Sequence, residues 1–271
     1  MTKTVLITGS STGFGHATAS LFADRGWNVV ATMRDPSAAG NLANRERVLV
    51  ARLDVTDAGT INSAIREGID RFGKLDAVIN NAGYGQYGIF EAIPPEKIQN
   101  NYDVNVFGVM NVMRAIVPIF REQGGGLILN VSSCGGLFAL PAISIYLSTK
   151  FAIEGFTESV SYELASQNIV VKLVEPGGGD TAFHARAAAA ATGAAGLQSY
   201  DAFLATAGAA IGRIAVRMQS PTTISEVIYG AVTDGTRRLR YFAGEDVKQF
   251  VDARRTMSDE DYEIYMRGQF A

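Results

Sequence analysis

Apolar residues along the chain fall into two alternating patterns. Short runs that are apolar almost throughout and rich in β-branched residues recur at 4–8 (TVLIT), 27–33 (WNVVATM), 47–55 (RVLVARLDV), 75–80 (LDAVIN), 126–132 (GLILNVS), 169–176 (IVVKLVEP) and 238–244 (RLRYFAG). Such runs read as strands buried on both faces. Between them, apolar positions recur at helical spacing near 14–25, 57–72, 96–122, 145–166 and 222–234. Asp57 is placed to cap the second of these helices, and Pro221 suits the first turn of the last. The alternation predicts a parallel sheet with helices on both faces, in one domain spanning 1–271. No internal repeat or interdomain linker interrupts it. One segment breaks the rhythm: residues 184–218 are Ala-rich and Gly-punctuated. They are predicted to be helical in pieces. They follow a strand end, where a lid over a ligand would sit.

Composition narrows the function. With 271 residues, 47% hydrophobic and 19% charged, the chain can bury a large core. A net charge of -3 with scattered Lys and Arg gives no reason to expect nucleic acid. The single cysteine, Cys134, excludes an intrachain disulfide framework, and the two histidines, His16 and His184, show no ligand spacing. No metal site is expected. The N-terminus runs straight into a strand and a glycine loop without a signal-peptide pattern, and no apolar run reads as a bilayer span. A cytoplasmic chain without a membrane partner is therefore expected.

The loop TGSSTGFG, 8–15, follows the first strand and opens the first helix, with glycines at 9, 13 and 15. Backbone N–H groups at a helix N-terminus suit a pyrophosphate, and side chains at Gly13 or Gly15 would obstruct the phosphate or the helix–strand contact. Ser10, Ser11 and Thr12 can add hydroxyl donors. The second strand ends ATMRDP. Met33 stands where an acidic residue would bind the 2′-hydroxyl of NAD, and Arg34 follows, suited to the 2′-phosphate of NADP. Asp35 is expected to turn away before Pro36.

Tyr146 and Lys150 stand four residues apart in ISIYLSTKFAIEGF, on one face of a predicted helix. A phenol and an ammonium are each costly to bury alone. An ammonium beside the phenol is expected to favour the phenolate and lower the phenol's pKa.

These motifs together resemble the short-chain dehydrogenase/reductase family, from Lys3 to about Thr181. The loop resembles T-G-x-x-x-G-x-G, and LDVT supplies Asp54 and Val55 as adenine contacts. NNAG contributes Asn81, Ala82 and Gly83, and DVNVFG contains Asn105. Ser133 ends NVSS, and YLSTK supplies Tyr146 and Lys150. PGGGDT resembles P-G-x-x-x-T, with Pro176, Gly177 and Thr181 at the nicotinamide. The thirteen-residue spacing from Ser133 to Tyr146 also matches.

The resemblance implies a single-domain, doubly wound Rossmann fold of the α/β class. It implies a seven-stranded parallel sheet in the order 3-2-1-4-5-6-7, with a substrate lid near 182–218. The implied catalytic residues are Asn105, Ser133, Tyr146 and Lys150, Ser133 donating to the substrate oxygen and Asn105 holding a relay water. The cofactor residues are Gly9, Ser11, Thr12, Gly13, Phe14, Gly15, Arg34, Asp54, Val55, Asn81, Ala82, Gly83, Tyr146, Lys150, Pro176, Gly177 and Thr181. An NADP(H)-dependent oxidoreductase acting on an apolar carbonyl or alcohol is the reading, with NAD(H) second. A homodimer or homotetramer through the helices near 96–122 and 145–166 is expected. Two other classes compete: a catalytically silent NADP(H)-sensing protein, and an epimerase or dehydratase of longer relatives. Retention of Ser133, which cofactor binding alone would not require, disfavours the first. Glycine spacing disfavours the second.

Two departures from the family pattern stand out. Phe14 replaces a smaller aliphatic residue, and its ring is expected beneath the cofactor. Three glycines, 177–179, predict an unusually flexible loop. His16, His184, Cys134 and the cluster Tyr84, Tyr87 and Phe90 are read as packing or surface residues.

Overall fold

The computed structural model describes residues 2–191, 197–215 and 218–270. The expected strands form as β1 (Thr4–Ile7), β2 (Asn28–Met33), β3 (Val48–Arg52), β4 (Ala77–Asn80), β5 (Gly126–Val131), β6 (Ile169–Pro176) and β7 (Arg240–Ala243). They make one parallel sheet in the order β3-β2-β1-β4-β5-β6-β7. Successive residues of β1 point to opposite faces. Leu6 joins one core with Val30, Val78, Ile128 and Leu173, while Val5 and Ile7 join the other with Val29, Ala31, Ile79 and Val174. Both faces are dry, which explains the lack of polar alternation.

The helices are α1 (Gly13–Asp24), α2 (Ala58–Phe72), α3 (Pro95–Tyr102), α4 (Gly108–Glu122), α5 (Ser144–Ala165), α6 (Ala182–Ala190), α7 (Asp201–Ala215), α8 (Pro221–Thr233), α9 (Lys248–Thr256) and α10 (Asp259–Gln269). Asp57 caps α2, its carboxylate accepting from the N–H groups of Gly59 and Thr60 at 2.8 and 3.4 Å. Ser220 caps α8, with Pro221 in the first turn. The segment 182–218 is helical in pieces, as α6 and α7. Residues 192–196 and 216–217 of it lie outside the described residues.

The single helix expected at 96–122 is α3 and α4 joined by a wider π turn, Asp103–Phe107, which contains Asn105. Such turns insert one residue into the helical ladder and gather at functional sites. An 18-residue window within Pro95–Glu122 has a mean hydropathy of 1.3, so by length and composition this helix could span a bilayer, although no unbroken apolar run does. The hydropathy comes from Val106, Val109, Val112, Met113, Ile116 and Phe120, which fill the core beneath the sheet.

Two C-terminal helices went unread. α9 and α10 pack Phe250, Val251 and Met266 onto Cys134 and Phe138, just beyond β5. Ser258 caps α10, its hydroxyl accepting from the Asp261 N–H at 3.2 Å, and three acids fill the first turn. That Ser-then-acid signature was legible. The apolar spacing behind it was weak.

Candidate active site

The chain reverses its direction of winding between β1 and β4, so the loops leaving these strands part there and form a crevice. Thr8 pins the two together. Its hydroxyl accepts from the N–H groups of Asn81 and Ala82, both at 3.0 Å. The Asn81 amide in turn donates to the Thr8 and Gly9 carbonyls at 3.0 and 3.2 Å.

The glycines of 8–15 each have a reason. Gly9 and Gly13 take positive φ values of 70° and 59°. A Cβ at Gly9 would fall 2.9 Å from the Ala82 Cα. One at Gly15 would fall 2.3 Å from the Gly9 carbonyl and 2.4 Å from the Asn81 amide. The loop is therefore a bare backbone cradle leading into α1, with Ser11 and Thr12 on it and Phe14 in the first turn. Such a cradle fits a dinucleotide's pyrophosphate.

At the adenosine end, Met33 is buried and Arg34 is exposed at the end of β2. The Asp35 carboxylate is taken by the Ser37 N–H and hydroxyl, at 3.0 and 2.8 Å. Those bonds hold its pKa below the ordinary value. Asp54 accepts from the Thr56 N–H and hydroxyl at 2.9 and 2.8 Å. Burial raises its pKa, but the Thr56 bonds with Arg34 and Arg52 outweigh it, so the net direction is down. The Val55 carbonyl accepts from Asn111 at 3.2 Å.

The catalytic candidates converge between β5 and α5. Ser133 follows β5 and caps a short turn, its hydroxyl accepting from the Gly135 N–H at 3.1 Å. Its proton goes to the Pro176 carbonyl at 3.5 Å, a long bond. The Ser133 side chain lies near enough to the Tyr146 phenol to oppose the rise in its pKa. Lys150 is only 7% exposed, and its ammonium donates to the Val131 carbonyl at 3.1 Å. It stands 5.7 Å from the centre of the Tyr146 ring.

Asn105 closes the group. Its amide donates to the Tyr84 carbonyl at 2.9 Å and Thr149 at 3.1 Å, and its carbonyl accepts from the Tyr84 N–H at 3.0 Å. Gly83 lies between Asn105 and Lys150, since a Cβ there would meet both.

The acidities correct one expectation. Burial raises the Tyr146 pKa well above that of a free phenol, Tyr87 adds to this, and the Ser133 side chain opposes it. The ammonium, 5.7 Å from the ring centre, does not reverse the shift. Lys150 itself is drawn down to about 8 by burial, against the pull of Glu154.

The loop 177–179 also departs from expectation. Every step of it is bonded. Gly177 N–H donates to the Ala243 carbonyl at 2.8 Å and Gly178 N–H to Asp246 at 2.8 Å. Gly179 bridges Gln219, and Thr181 N–H returns to the Gly179 carbonyl. The glycines supply room rather than looseness. A Cβ at Gly177 would fall 2.0 Å from Asp246, and one at Gly178 3.1 Å from Met218. One at Gly179 would fall 2.3 Å from the Phe14 ring. The two departures in the sequence are thus one contact: the large ring at 14 occupies the space that Gly179 leaves. Thr181 caps α6, its hydroxyl accepting from the Phe183 N–H at 3.2 Å, and its methyl faces Gly13.

Helix α6 spans the crevice. Arg186 donates to the Thr12 hydroxyl at 3.1 Å on the glycine-loop side. On the catalytic side the Phe183 ring lies 5.5 Å from Tyr146, and the Tyr87 hydroxyl meets His184 Nδ1 at 2.8 Å. Burial raises the Tyr87 phenol to about 12 and lowers His184. The bond thus joins a protonated phenol to a neutral imidazole. Reading the sequence missed this pair because 97 residues separate its members. Cys134 is buried packing, its thiol donating to the Glu175 carbonyl at 3.1 Å.

The chain matches the profile of the short chain dehydrogenase family over residues 3–192. It belongs to the short-chain dehydrogenase/reductase family. Members are nicotinamide-dependent oxidoreductases acting on CH–OH groups. An uncharacterized oxidoreductase of Schizosaccharomyces pombe is 36% identical over 230 residues, covering 85% of this chain and 96% of the relative. A solved short-chain dehydrogenase from Streptomyces avermitilis superposes with a TM-score of 0.81 at 29% identity, covering 99% of this chain and 98% of that one. A solved 3-ketoacyl-(acyl-carrier-protein) reductase from Brucella melitensis, complexed with NADH, superposes with a TM-score of 0.75 at 26% identity. It covers 90% of this chain and 98% of that one.

The Phe14–Gly179 contact predicts a specific coupling. Gly179→Ala is expected to cost about 1–3 kcal/mol by overpacking, read as a lower midpoint in denaturant unfolding. In a Phe14→Leu background most of that loss should vanish. Equal losses in both backgrounds would contradict the contact.

Proposed function

We propose that the protein interconverts a ketone or aldehyde and an alcohol with NADP(H), on an apolar substrate. The observation that carries this is the convergence of Ser133, Tyr146 and Lys150 beside the glycine cradle. The substrate oxygen sits between the Ser133 hydroxyl, whose proton turns to it from the long bond to the Pro176 carbonyl, and the Tyr146 phenol. A phenol held above its ordinary pKa keeps its proton at neutral pH, so it is ready to protonate an alkoxide as it forms. Lys150 holds the nicotinamide ribose, Asn105 holds a water that relays protons to Lys150, and Thr181, Pro176 and Gly177 close over the nicotinamide. When bound, the cofactor supplies the hydride.

The apolar substrate follows from the walls. Phe183 faces Tyr146, and the one charge on α6, Arg186, is turned to Thr12 on the glycine-loop side. The segment near 182–218 acts as a lid, seated through Arg186 on one side and His184 on the other. The 3-ketoacyl substrate in the name of the Brucella relative is of the same apolar-chain kind.

Cofactor choice rests on Arg34. Met33 offers no carboxylate to a 2′-hydroxyl, and Ser37 holds Asp35 away from the ribose. A charge-assisted hydrogen bond contributes roughly 1.5–3 kcal/mol. A preference for NADP(H) of at least about tenfold in kcat/KM follows. The test is cofactor consumption with a panel of apolar ketones, using each cofactor, in wild type and Arg34→Ala. Consumption of NADPH that falls to the NADH level in the variant is expected. No consumption with any ketone would remove the function, and equal use of NADH by the wild type would remove the preference.

Self-association through α4 and α5 accounts for two exposed aromatic side chains near and on those helices, Phe107 at 48% and Phe151 at 46%. Light scattering is expected to give two or four chain masses, reduced by Phe151→Glu. A single-chain mass for the wild type would contradict this.

A further inference from the structure

Helix α6 carries a cation across the crevice, and the proposed chemistry gives it no task. Arg186 stands one turn beyond the start of α6, and its Nη2 donates to the Thr12 hydroxyl at 3.1 Å. That is a neutral partner for a charged group. Among the described residues no carboxylate pairs with Arg186. A guanidinium presents a planar fork of N–H donors matched to the oxygens of a carboxylate or phosphate. Here that fork meets a single hydroxyl.

The neighbouring elements hold Arg186 in this place. Thr181 caps α6, and a Cβ at Gly13 would fall 3.6 Å from the Thr181 methyl. Phe183 lies against Tyr146, and Phe183 and Ala187 both close on Gly85, where a Cβ would fall 3.1 and 3.0 Å from them. The cap of α6 and its guanidinium therefore meet two successive residues of the glycine loop, Gly13 and Thr12.

Thr12 stands at the N-cap of α1 with extended backbone, where a threonine ordinarily accepts from the second or third N–H of the helix. Its hydroxyl makes no such bond, and no acid occupies the first turn. The oxygen faces Arg186 instead. The loop TGSSTGFG contains neither Lys nor Arg. The N-terminus of α1 supplies about half a positive charge, less than a doubly charged pyrophosphate requires. Arg186 brings a full charge to the same loop from the opposite wall.

We propose that Arg186 binds the pyrophosphate of the nicotinamide cofactor from the lid side, and that the cofactor thereby fastens α6 over the crevice. The role rests on the cofactor site proposed above. An anion held by the glycine loop is met by the guanidinium that now meets Thr12. In place of one bond to a neutral hydroxyl, α6 then holds the loop through an ion pair. The contact is to the part that NADP(H) and NAD(H) share. It adds affinity for both and leaves the choice between them to Arg34.

The test is cofactor affinity without substrate, read from the fluorescence of NADPH and of NADH on titration with protein. Arg186 is exposed, so its variants are expected to fold. Arg186→Gln should weaken both cofactors by the same factor, about tenfold or more, the worth of a hydrogen bond to a charged group. Arg186→Lys keeps the charge without the fork and should recover part of the loss. Unchanged affinity in Arg186→Gln would overturn the proposal. So would a loss confined to NADPH, which would put Arg186 at the 2′-phosphate.

The fastening of α6 has its own readout. Hydrogen exchange of the α6 amides should slow when NADPH binds the wild type. In Arg186→Gln, saturated with NADPH, most of that slowing should be lost. Slowing of equal size in both proteins would overturn the fastening. A wild type that binds NADPH but reduces no ketone would remove the function proposed above and leave the role of Arg186 standing.

Discussion

Burying the Lys150 ammonium is the constraint on which the rest of the site depends. A charge in a dry interior is tolerable only where fixed partners meet it, and removing one partner of a buried pair costs about 3–5 kcal/mol. The buried stripe of α5 carries three polar residues at helical spacing, and each is answered by the sheet. Lys150 meets the Val131 carbonyl, Glu154 meets Arg240, and Thr157 meets the amide of Asn130 at 2.9 Å. Asn130 also accepts from Asn80 at 2.8 Å, which carries the tie across to β4. Sliding or rotating α5 would orphan all three together. The helix is thus fixed in register, and with it the phenol of Tyr146 against Ser133.

Packing, rather than charge, shapes the other side of the crevice. The glycine loop and the 177–181 loop come from opposite sides of the topological reversal, and they fit because one is large where the other is small. Phe14 lies where Gly179 has no side chain, and the Thr181 methyl faces Gly13. Helix α6 then joins the two halves, touching Thr12 at one end and Tyr87 and Tyr146 at the other. Its seat on the loop after β4 is equally close, because a Cβ at Gly85 would fall 3.0 Å from Ala187 and 3.1 Å from Phe183.

Much of this was legible in the chain. The strands announced themselves because both faces of the sheet are dry, and their order followed from family resemblance. Motifs confined to one loop or one helix face were also legible. What escaped needs the third dimension. Burial, and not the neighbouring ammonium, decides the acidity of Tyr146, and burial is invisible in Y-x-x-x-K. Three adjacent glycines read as a flexible loop until Asp246, Met218 and Phe14 are seen filling the space beside them. Tyr87 and His184 meet only because α6 folds back over the crevice. The π turn at 103–107 left no mark on the apolar spacing, since one inserted residue shifts a helical pattern by less than a third of a turn.

The central claim is that the Tyr146 proton completes the chemistry while the backbone and Lys150 hold the cofactor. It is tested most directly by Tyr146→Phe, with NADPH binding by fluorescence and turnover on a ketone measured in the same preparation. Loss of the phenolic hydroxyl should leave cofactor affinity near that of the wild type and lower turnover by at least about a hundredfold, the lower bound for a general acid. A variant that binds NADPH normally and keeps most of the wild-type rate would contradict the account.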